Sequence, residues 1–204
     1  SDITIVGAGP AGMTAAFFLA KNKIPVTIIE KISVPRDKIC GDCIGGFGLS
    51  VLKQMGSDIF HRFANSDLKL IGGGVHFFGP EHKKVTGKAE TMISDTMNEV
   101  ALCRRIDFDN LLYEEIKNNL YIEIVKNKNV TDLHKNSGGI DIICSDETYF
   151  RTKLLILATG SHHALVYKLN GSRQNIKNKA AGIRAYFENI GGLSQEGYIE
   201  LHYL

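Results

Sequence analysis

The sequence predicts an α/β fold that begins with a strand of a parallel β-sheet. Two short apolar runs, at 2–6 and 25–30, are rich in β-branched residues, as buried parallel strands are. The segment between them, 11–22, carries small residues on one side and predicts a helix packed on a sheet. A third apolar run, LLILA at 154–158, has the same character as the first two. The first two runs and the helix therefore form one βαβ unit, whose crossover should be right-handed.

The rest of the chain carries further helix and strand signals. An amphipathic helix is predicted at 107–120 from apolar residues at every fourth position, with Asp107 as its N-cap and Leu120 as its last apolar residue. A shorter helix is predicted at 49–56, ending at Gly56. Short or alternating apolar segments predict strands at 68–71, 74–78, 121–125, 139–144, 149–153, 182–190 and 198–204. The pair 139–144 and 149–153 should form a hairpin, and the last two segments should be half-buried antiparallel strands.

Composition excludes several classes of function. The formal net charge is only +2 and the basic residues form no block, so no nucleic-acid partner is expected. The apolar runs are far shorter than the roughly 20 residues that span a bilayer, and no secretory leader is recognised. The four cysteines are scattered, which is typical of reduced thiols and predicts a cytoplasmic protein.

The turn after the first strand has the spacing G-x-G-x-x-G, with glycines at Gly7, Gly9 and Gly12. Glycine at these places permits a tight turn, close approach of a pyrophosphate and close helix packing, while the helix N-terminus attracts phosphate. Glu30, at the end of the second strand, is placed to accept hydrogen bonds from an adenosine ribose and would repel a 2′-phosphate. Dinucleotide binding is therefore predicted. The alternative is a turn that only packs a helix, and the βαβ unit alone does not separate NAD from FAD.

Five segments occur in an order that resembles a known family: DITIVGAGPAG, PRDKICGD (35–42), RRIDFDNLL (104–112), LLILATGS (154–161) and GIRAYFENI (182–190). The chain resembles FAD-dependent oxidoreductases of the p-hydroxybenzoate hydroxylase-like superfamily, and more narrowly the geranylgeranyl reductase family. The resemblance implies a Rossmann-like FAD-binding domain with a β-meander at 1–67 and 99–167. It also implies the start of an antiparallel-sheet substrate domain at 68–98 and 168–204. The relatives are longer, so the chain is expected to be a fragment.

The resemblance also implies roles for particular residues. Glu30 would bind the adenosine ribose, and Ala11 with the three glycines would lie along the pyrophosphate. Arg105 would reach the FAD phosphates, and Val130 would touch the adenine through its backbone. Arg36 and Lys38 are candidate phosphate or substrate contacts, with solvated loop charges as the alternative. The remaining candidate cofactor-binding residues are Lys31, Thr159 and Gly160; Thr159 stands where many aromatic hydroxylases have Asp.

The loop Cys40-Gly41-Asp42 is expected next to the isoalloxazine in such families. Cys40 is the candidate catalytic residue, and Cys40 and Gly41 would border the flavin. Cys40 and Cys43 also form a C-x-x-C pair, for which a redox disulfide or half of a zinc site are alternatives. No metal is expected, because a second ligand pair at suitable spacing is missing. The other three cysteines are expected to pack as small apolar residues.

The resemblance implies an enzyme that reduces C=C bonds of an isoprenoid or similar apolar substrate by hydride transfer from reduced FAD. NAD(P)H is a candidate electron donor, and the substrate would bring the protein into peripheral contact with a membrane. Two alternatives stay open: a flavin-dependent monooxygenase or halogenase, and a truncated FAD-binding fragment without catalytic activity.

Overall fold

The computed structural model describes residues 1–67, 69–80, 83–88, 100–161, 164–171, 181–192 and 197–203. Within these ranges the strands are β1 (Ile3–Val6), β2 (Val26–Ile29), β3 (Cys43–Ile44), β4 (Lys69–Gly72), β5 (Gly74–Phe78), β6 (Lys84–Lys88), β7 (Val100–Cys103), β8 (Ile122–Val125), β9 (Val130–Asn136), β10 (Gly139–Cys144), β11 (Tyr149–Thr152), β12 (Leu154–Leu157) and β13 (Ile199–His202). The helices are α1 (Pro10–Lys21), α2 (Gly46–Met55), α3 (Ser57–Ala64), α4 (Arg105–Ile116) and α5 (Ala164–Asn170).

The chain divides into two compact units. Unit 1 comprises Ser1–Asp37 and Asp109–Gly182, and unit 2 comprises Lys38–Phe108 and Ile183–Leu204. These bounds differ from the domain bounds expected from the sequence, chiefly because residues 38–67 belong to unit 2. The physical reason is that β3 pairs with β7, so the segment that follows Lys38 is tied to unit 2 by a strand ladder.

Unit 1 contains a parallel sheet and an antiparallel meander. The parallel sheet has the strand order β12-β1-β2-β8, with Ile3 opposite both Val26 and Leu154. The meander β9-β10-β11 contains the predicted hairpin, in which Ile142 lies opposite Phe150. Buried residues of both sheets share one apolar core with Leu165 of α5: Val6, Ile29, Leu133, Ile142 and Cys144. The Rossmann-like α/β fold class predicted from the sequence is thus confirmed.

Unit 2 contains two small sheets and helices α2 and α3. The sheet β3-β7-β4 is antiparallel, and β5 pairs with β6 antiparallel. Segment 198–204 was expected to be an antiparallel strand, but β13 pairs with β5 in parallel, with Ile199 opposite Val75. Alternation of apolar and polar residues specifies which faces are buried but not the direction of the neighbouring strand, so this error has a simple origin.

Two other expectations need correction. Segment 182–190 was predicted to be a strand, yet residues 181–192 form no strand, and Ile183 is fully exposed. Helix α4 begins at Arg105 and ends at Ile116, so Asp107 is not its N-cap but lies in its first turn. There Asp107 accepts a hydrogen bond from Nε of Arg104 at 2.6 Å. Some residues of the predicted strands and domains lie outside the described residues. They include residue 68 of the segment 68–71, residues 89–99, and residue 204 of the segment 198–204.

Among the described residues, no helix combines the length and the apolarity that crossing a bilayer demands.

Candidate dinucleotide-binding site

The turn between β1 and α1 contains two glycines, Gly7 and Gly12, that no larger residue could replace without a clash. Gly7 has a φ of +110°, and a Cβ added there would lie 2.5 Å from the carbonyl oxygen of Ala158. A Cβ added at Gly12 would lie 1.9 Å from the carbonyl oxygen of Gly7. These two glycines therefore allow strand β1, helix α1 and the end of β12 to pack closely.

Gly9 differs from its two neighbours in the motif. The nearest atom to a Cβ added there is Nη2 of Arg36, 4.0 Å away, so the internal packing would admit a side chain. Its absence instead leaves the backbone bare at the entrance to α1. The glycine at this position consequently serves access to the main chain rather than packing of the fold.

The N-terminus of α1 is free of capping side chains. Gly9 is the N-cap and provides no side-chain hydrogen bond, Pro10 opens the helix, and the first turn contains no acidic residue. Ala11 in that first turn is exposed. Orphan N–H groups and the partial positive charge of the helix dipole make this end of α1 suited to an anion such as a diphosphate.

Glu30 lies directly after β2 and is only 2% exposed. Its Oε2 accepts the N–H of Ala8 at 2.7 Å, and its Oε1 lies 3.4 Å from the N–H of Ile32. Its main-chain oxygen accepts the N–H of Lys128 at 3.0 Å, two residues before Val130, the predicted adenine contact. The carboxylate is thus fixed beside the glycine turn, with Oε1 the less strongly engaged oxygen.

Arg36 lies beside both Glu30 and Gly9. Its Nη2 is 3.6 Å from Oε2 of Glu30, and its side chain is 14% exposed, so Arg36 is largely buried rather than a solvated loop charge. Its Nε is buried and has no hydrogen-bond partner among the described residues. Because an unsatisfied buried donor is costly, this N–H is suited to an acceptor from a bound ligand.

The other candidates of unit 1 flank this group. Lys31 follows Glu30 and is exposed, Val130 begins β9 and is half-buried, and Thr159 and Gly160 follow Ala158, whose carbonyl oxygen adjoins Gly7. Because β1, β2 and β12 are parallel, their carboxyl ends lie at the same edge of the sheet. Most of the predicted cofactor-binding residues follow these strand ends. This edge is where ligands bind in open α/β sheets.

The candidates that belong to unit 2 meet around Asp42. Its Oδ1 accepts the main-chain N–H of Arg105 at 3.1 Å, and its main-chain oxygen accepts the N–H of Cys103 at 2.8 Å. Arg105 is half-buried, as is Lys38, whereas Cys40 and Gly41 are exposed. The structure thus brings the start of α4 to the Cys40 loop through a carboxylate.

The four thiols differ in environment. Cys40 and Cys43 are free and exposed, so they form no disulfide here, and Cys103 and Cys144 are buried. Burial raises the pKa of the Cys103 thiol to about 11, with smaller contributions from the carboxylates of Asp107 and Asp42. Partial desolvation of the Cys43 thiol also raises its pKa, although the residue as a whole is exposed. The expectation that Cys103 and Cys144 pack as apolar residues is confirmed, whereas Cys43 does not pack in that way.

Comparison with known proteins identifies the family. A protein-family model described as pyridine nucleotide-disulphide oxidoreductase matches residues 1–195. The chain belongs to this family.

Individual relatives are distant and longer. The chain is 25% identical over 214 residues to Conditioned medium factor receptor 1 of Dictyostelium discoideum. The alignment covers 97% of this chain and 40% of that protein. It is 26% identical over 207 residues to a menaquinone reductase of Mycolicibacterium smegmatis, covering 98% of this chain and 44% of that protein. The chain spans less than half the length of these curated relatives.

A solved structure similar to the chain is a flavoprotein/dehydrogenase from Cytophaga hutchinsonii. The TM-score is 0.71 at 19% identity, over 86% of this chain and 43% of that chain. This likeness shows that the pyridine nucleotide-disulphide oxidoreductase chain shares the fold of that flavoprotein.

The residues of this oxidoreductase-family chain fit an adenine dinucleotide in four respects. The backbone at Gly9 is bare, helix α1 is uncapped, Glu30 supplies a fixed carboxylate, and Arg36 carries a buried donor without a partner among the described residues. Each is a group that an adenosine diphosphate can satisfy, through its phosphate oxygens or its ribose hydroxyls.

One cluster of contacting residues in unit 2 was not predicted from the sequence. Asp42, Arg184 and Tyr186 contact one another, although 142 residues separate Asp42 from Arg184. The sequence carried one signal, since all three stand inside the segments PRDKICGD and GIRAYFENI. Their contact could not be read from that signal because the second segment was expected to be a strand.

Proposed function

We propose that this chain is the nucleotide-binding part of an FAD-dependent oxidoreductase. The observation that carries the proposal is the arrangement at the β1–α1 turn. A bare glycine backbone and an uncapped helix N-terminus lie beside a buried carboxylate that is hydrogen-bonded to the same turn. A turn that served only to pack a helix would not need a glycine at Gly9, where the surrounding atoms leave room for a side chain.

Each group has a role in this proposal. The N–H groups at the start of α1 and the guanidinium of Arg36 bind the diphosphate. The carboxylate of Glu30 accepts the ribose hydroxyls through Oε1 while Oε2 stays bonded to Ala8. The backbone near Val130 lies against adenine, and Lys31, Thr159 and Gly160 border the nucleotide. Arg105 is proposed to add a positive charge for the phosphates.

The finer proposal is a reductase of the geranylgeranyl reductase type. FAD, when bound, supplies hydride for reduction of an apolar substrate, and NAD(P)H is the proposed donor that reduces it. The protein would orient the cofactor and exclude water, with Cys40 and Gly41 beside the flavin ring. The substrate is proposed to be isoprenoid-like, and its apolarity would bring the protein to a membrane surface. The name of the menaquinone reductase relative supports reductase chemistry.

Titration tests the nucleotide site. We expect the purified chain to bind FAD and ADP-ribose. It should bind a second ligand, 2′-phospho-ADP-ribose, at least tenfold more weakly than ADP-ribose, because Glu30 repels the added phosphate. Glu30→Gln keeps an acceptor for Ala8 but removes the charge, so it should narrow that preference. Glu123→Gln is the matched control, since Glu123 is an exposed carboxylate on β8 of the same unit. Equal binding of both ligands to the parent chain would contradict the proposal.

A product assay tests the finer proposal. The full-length, FAD-loaded gene product is incubated with an unsaturated isoprenoid and a reductant, and the products are weighed by mass spectrometry. A gain of two hydrogens per C=C supports the reductase, whereas incorporation of an oxygen atom supports a monooxygenase and contradicts it.

A further inference from the structure

The side chain of Asp42 accepts hydrogen bonds from three donors, which lie in two separate segments of unit 2. Its Oδ1 accepts from the N–H of Arg105 at 3.1 Å and from Nη1 of Arg184 at 3.3 Å. Its Oδ2 accepts from the hydroxyl of Tyr186 at 2.7 Å. The side chains of Asp42 and Arg184 are only 21% and 15% exposed, so this ion pair is weakly screened by solvent.

Arg184 holds the other end of the same loop. The Nη1 that reaches Asp42 also lies 3.1 Å from the carbonyl oxygen of Lys38, to which it donates. Its guanidinium stacks on the ring of Tyr186, 4.6 Å from the ring centroid. One guanidinium therefore fixes Lys38 and Asp42 at once, and the exposed Cys40 stands between these two points.

Packing alone does not fix the loop between them. Cys40 is exposed, and nothing lies within 4 Å of a Cβ added at Gly41. Ile39 is 69% exposed, so it does not anchor the loop in a core. The conformation at Cys40 consequently depends on the polar contacts at the two ends of the loop.

We propose that Arg184 and Tyr186 are positioning residues for Cys40, acting through Asp42 as a clamp on the loop 38–42. The clamp explains why residues 183–187 form no strand, since Arg184 and Tyr186 are committed to a carboxylate rather than to a sheet face. It also explains why α4 begins at Arg105, because Asp42 caps that N–H from a distant part of the chain. The consequence for catalysis rests on the proposed function, in which Cys40 borders the flavin.

Hydrogen exchange of the full chain without added nucleotide tests the clamp itself. In Arg184→Gln, the amides of Cys103 and Arg105, which both donate to Asp42, should exchange at least tenfold faster than in the parent chain. Arg184→Lys should restore part of the protection, because Lys keeps the positive charge that pairs with Asp42 whereas Gln does not. The matched control is Arg151→Gln, which removes an arginine–carboxylate pair with Asp141 on the hairpin of unit 1. Unchanged exchange in Arg184→Gln would overturn the clamp.

Flavin spectra test whether the clamp positions Cys40. After loading with FAD, Arg184→Gln and Tyr186→Phe should shift the visible absorbance of the bound flavin, while the Kd for ADP-ribose stays within twofold of the parent value. Tyr186→Phe removes one hydroxyl from a side chain that is 54% exposed, so its fold should survive even if that of Arg184→Gln does not. Faster exchange without a spectral change would overturn the positioning role.

The two proposals fail separately. If the parent chain binds no FAD, the proposed function fails, and the exchange of the Cys103 and Arg105 amides still decides whether the clamp exists.

Discussion

The N–H of Ala8 donates to Oε2 of Glu30 over 2.7 Å, so the glycine turn and the tip of β2 are joined by a buried carboxylate. Ala8 occupies the middle of the G-x-G motif, and Glu30 is separated from it by the whole of α1. The same carboxylate is 3.6 Å from Nη2 of Arg36. A residue expected only to recognise a ribose therefore also shapes the turn that would receive the phosphates.

The two functions of Glu30 can be separated by substitution. Glu30→Ala leaves the N–H of Ala8 without its acceptor in a buried place, which should lower the free energy of unfolding by about 1–3 kcal/mol. Glu30→Gln retains an amide oxygen for that N–H and should lose less. Urea denaturation of the two variants measures the difference. Equal losses would mean that the hydrogen bond to Ala8 contributes little.

The glycines of the motif should respond differently to alanine. Gly12→Ala places a Cβ 1.9 Å from the carbonyl oxygen of Gly7, which forces the backbone to move and should cost several kcal/mol, about 3 or more. At Gly9 the nearest atom is 4.0 Å away, so Gly9→Ala should change the melting temperature little and should weaken FAD binding instead. Thermal melting paired with an FAD titration checks both. A large loss of stability in Gly9→Ala would show that this glycine also serves packing.

The sequence predicted the βαβ unit well because its signals are local. Buried strands and a helix with small residues on one side can be recognised from consecutive residues. Gly7 and Gly12 are required by contacts within that unit and with Ala158. The clamp at Asp42 could not be predicted in that way. Its partners are separated by more than a hundred residues, and the hydrogen-bonding geometry of Arg184 and Tyr186 leaves no periodic trace.

The predicted length of α4 was wrong for a related reason. The four-residue repeat continues past Ile116 to Leu120, but the chain leaves the helix first, and the N–H of Asn119 bonds back to the oxygen of Ile116. Ile116 is fully buried, whereas Leu120 is 99% exposed. Periodicity alone cannot distinguish a core residue from an apolar residue in the turn that follows.

This difference makes a paired prediction. Ile116→Ala should lower the free energy of unfolding by about 2–5 kcal/mol, because it opens a cavity in a packed interior. Leu120→Ala should change that free energy by less than about 0.5 kcal/mol, as exposed substitutions usually do. Chemical denaturation of both variants measures the contrast. Comparable losses would place Leu120 in a contact that the structure does not show.

Cys103 should make stability depend on alkaline pH. Burial, aided by the carboxylates of Asp107 and Asp42, raises the pKa of its thiol from the ordinary value of 9.0 to about 11. Between these values the unfolded chain loses a proton that the folded chain keeps, so ionisation favours unfolding as pH rises. The stabilising effect of the neutral thiol is complete below pH 9.0 and is lost as the pH rises towards about 11. Between pH 7.5 and 10.5 the free energy of unfolding should therefore fall by about 1–3 kcal/mol less in Cys103→Ala than in the parent chain. Urea denaturation at the two pH values measures this difference. Cys40→Ala, which removes an exposed thiol, should follow the parent curve. Parallel curves for the parent chain and Cys103→Ala would show that this thiol ionises equally in the folded and unfolded chain.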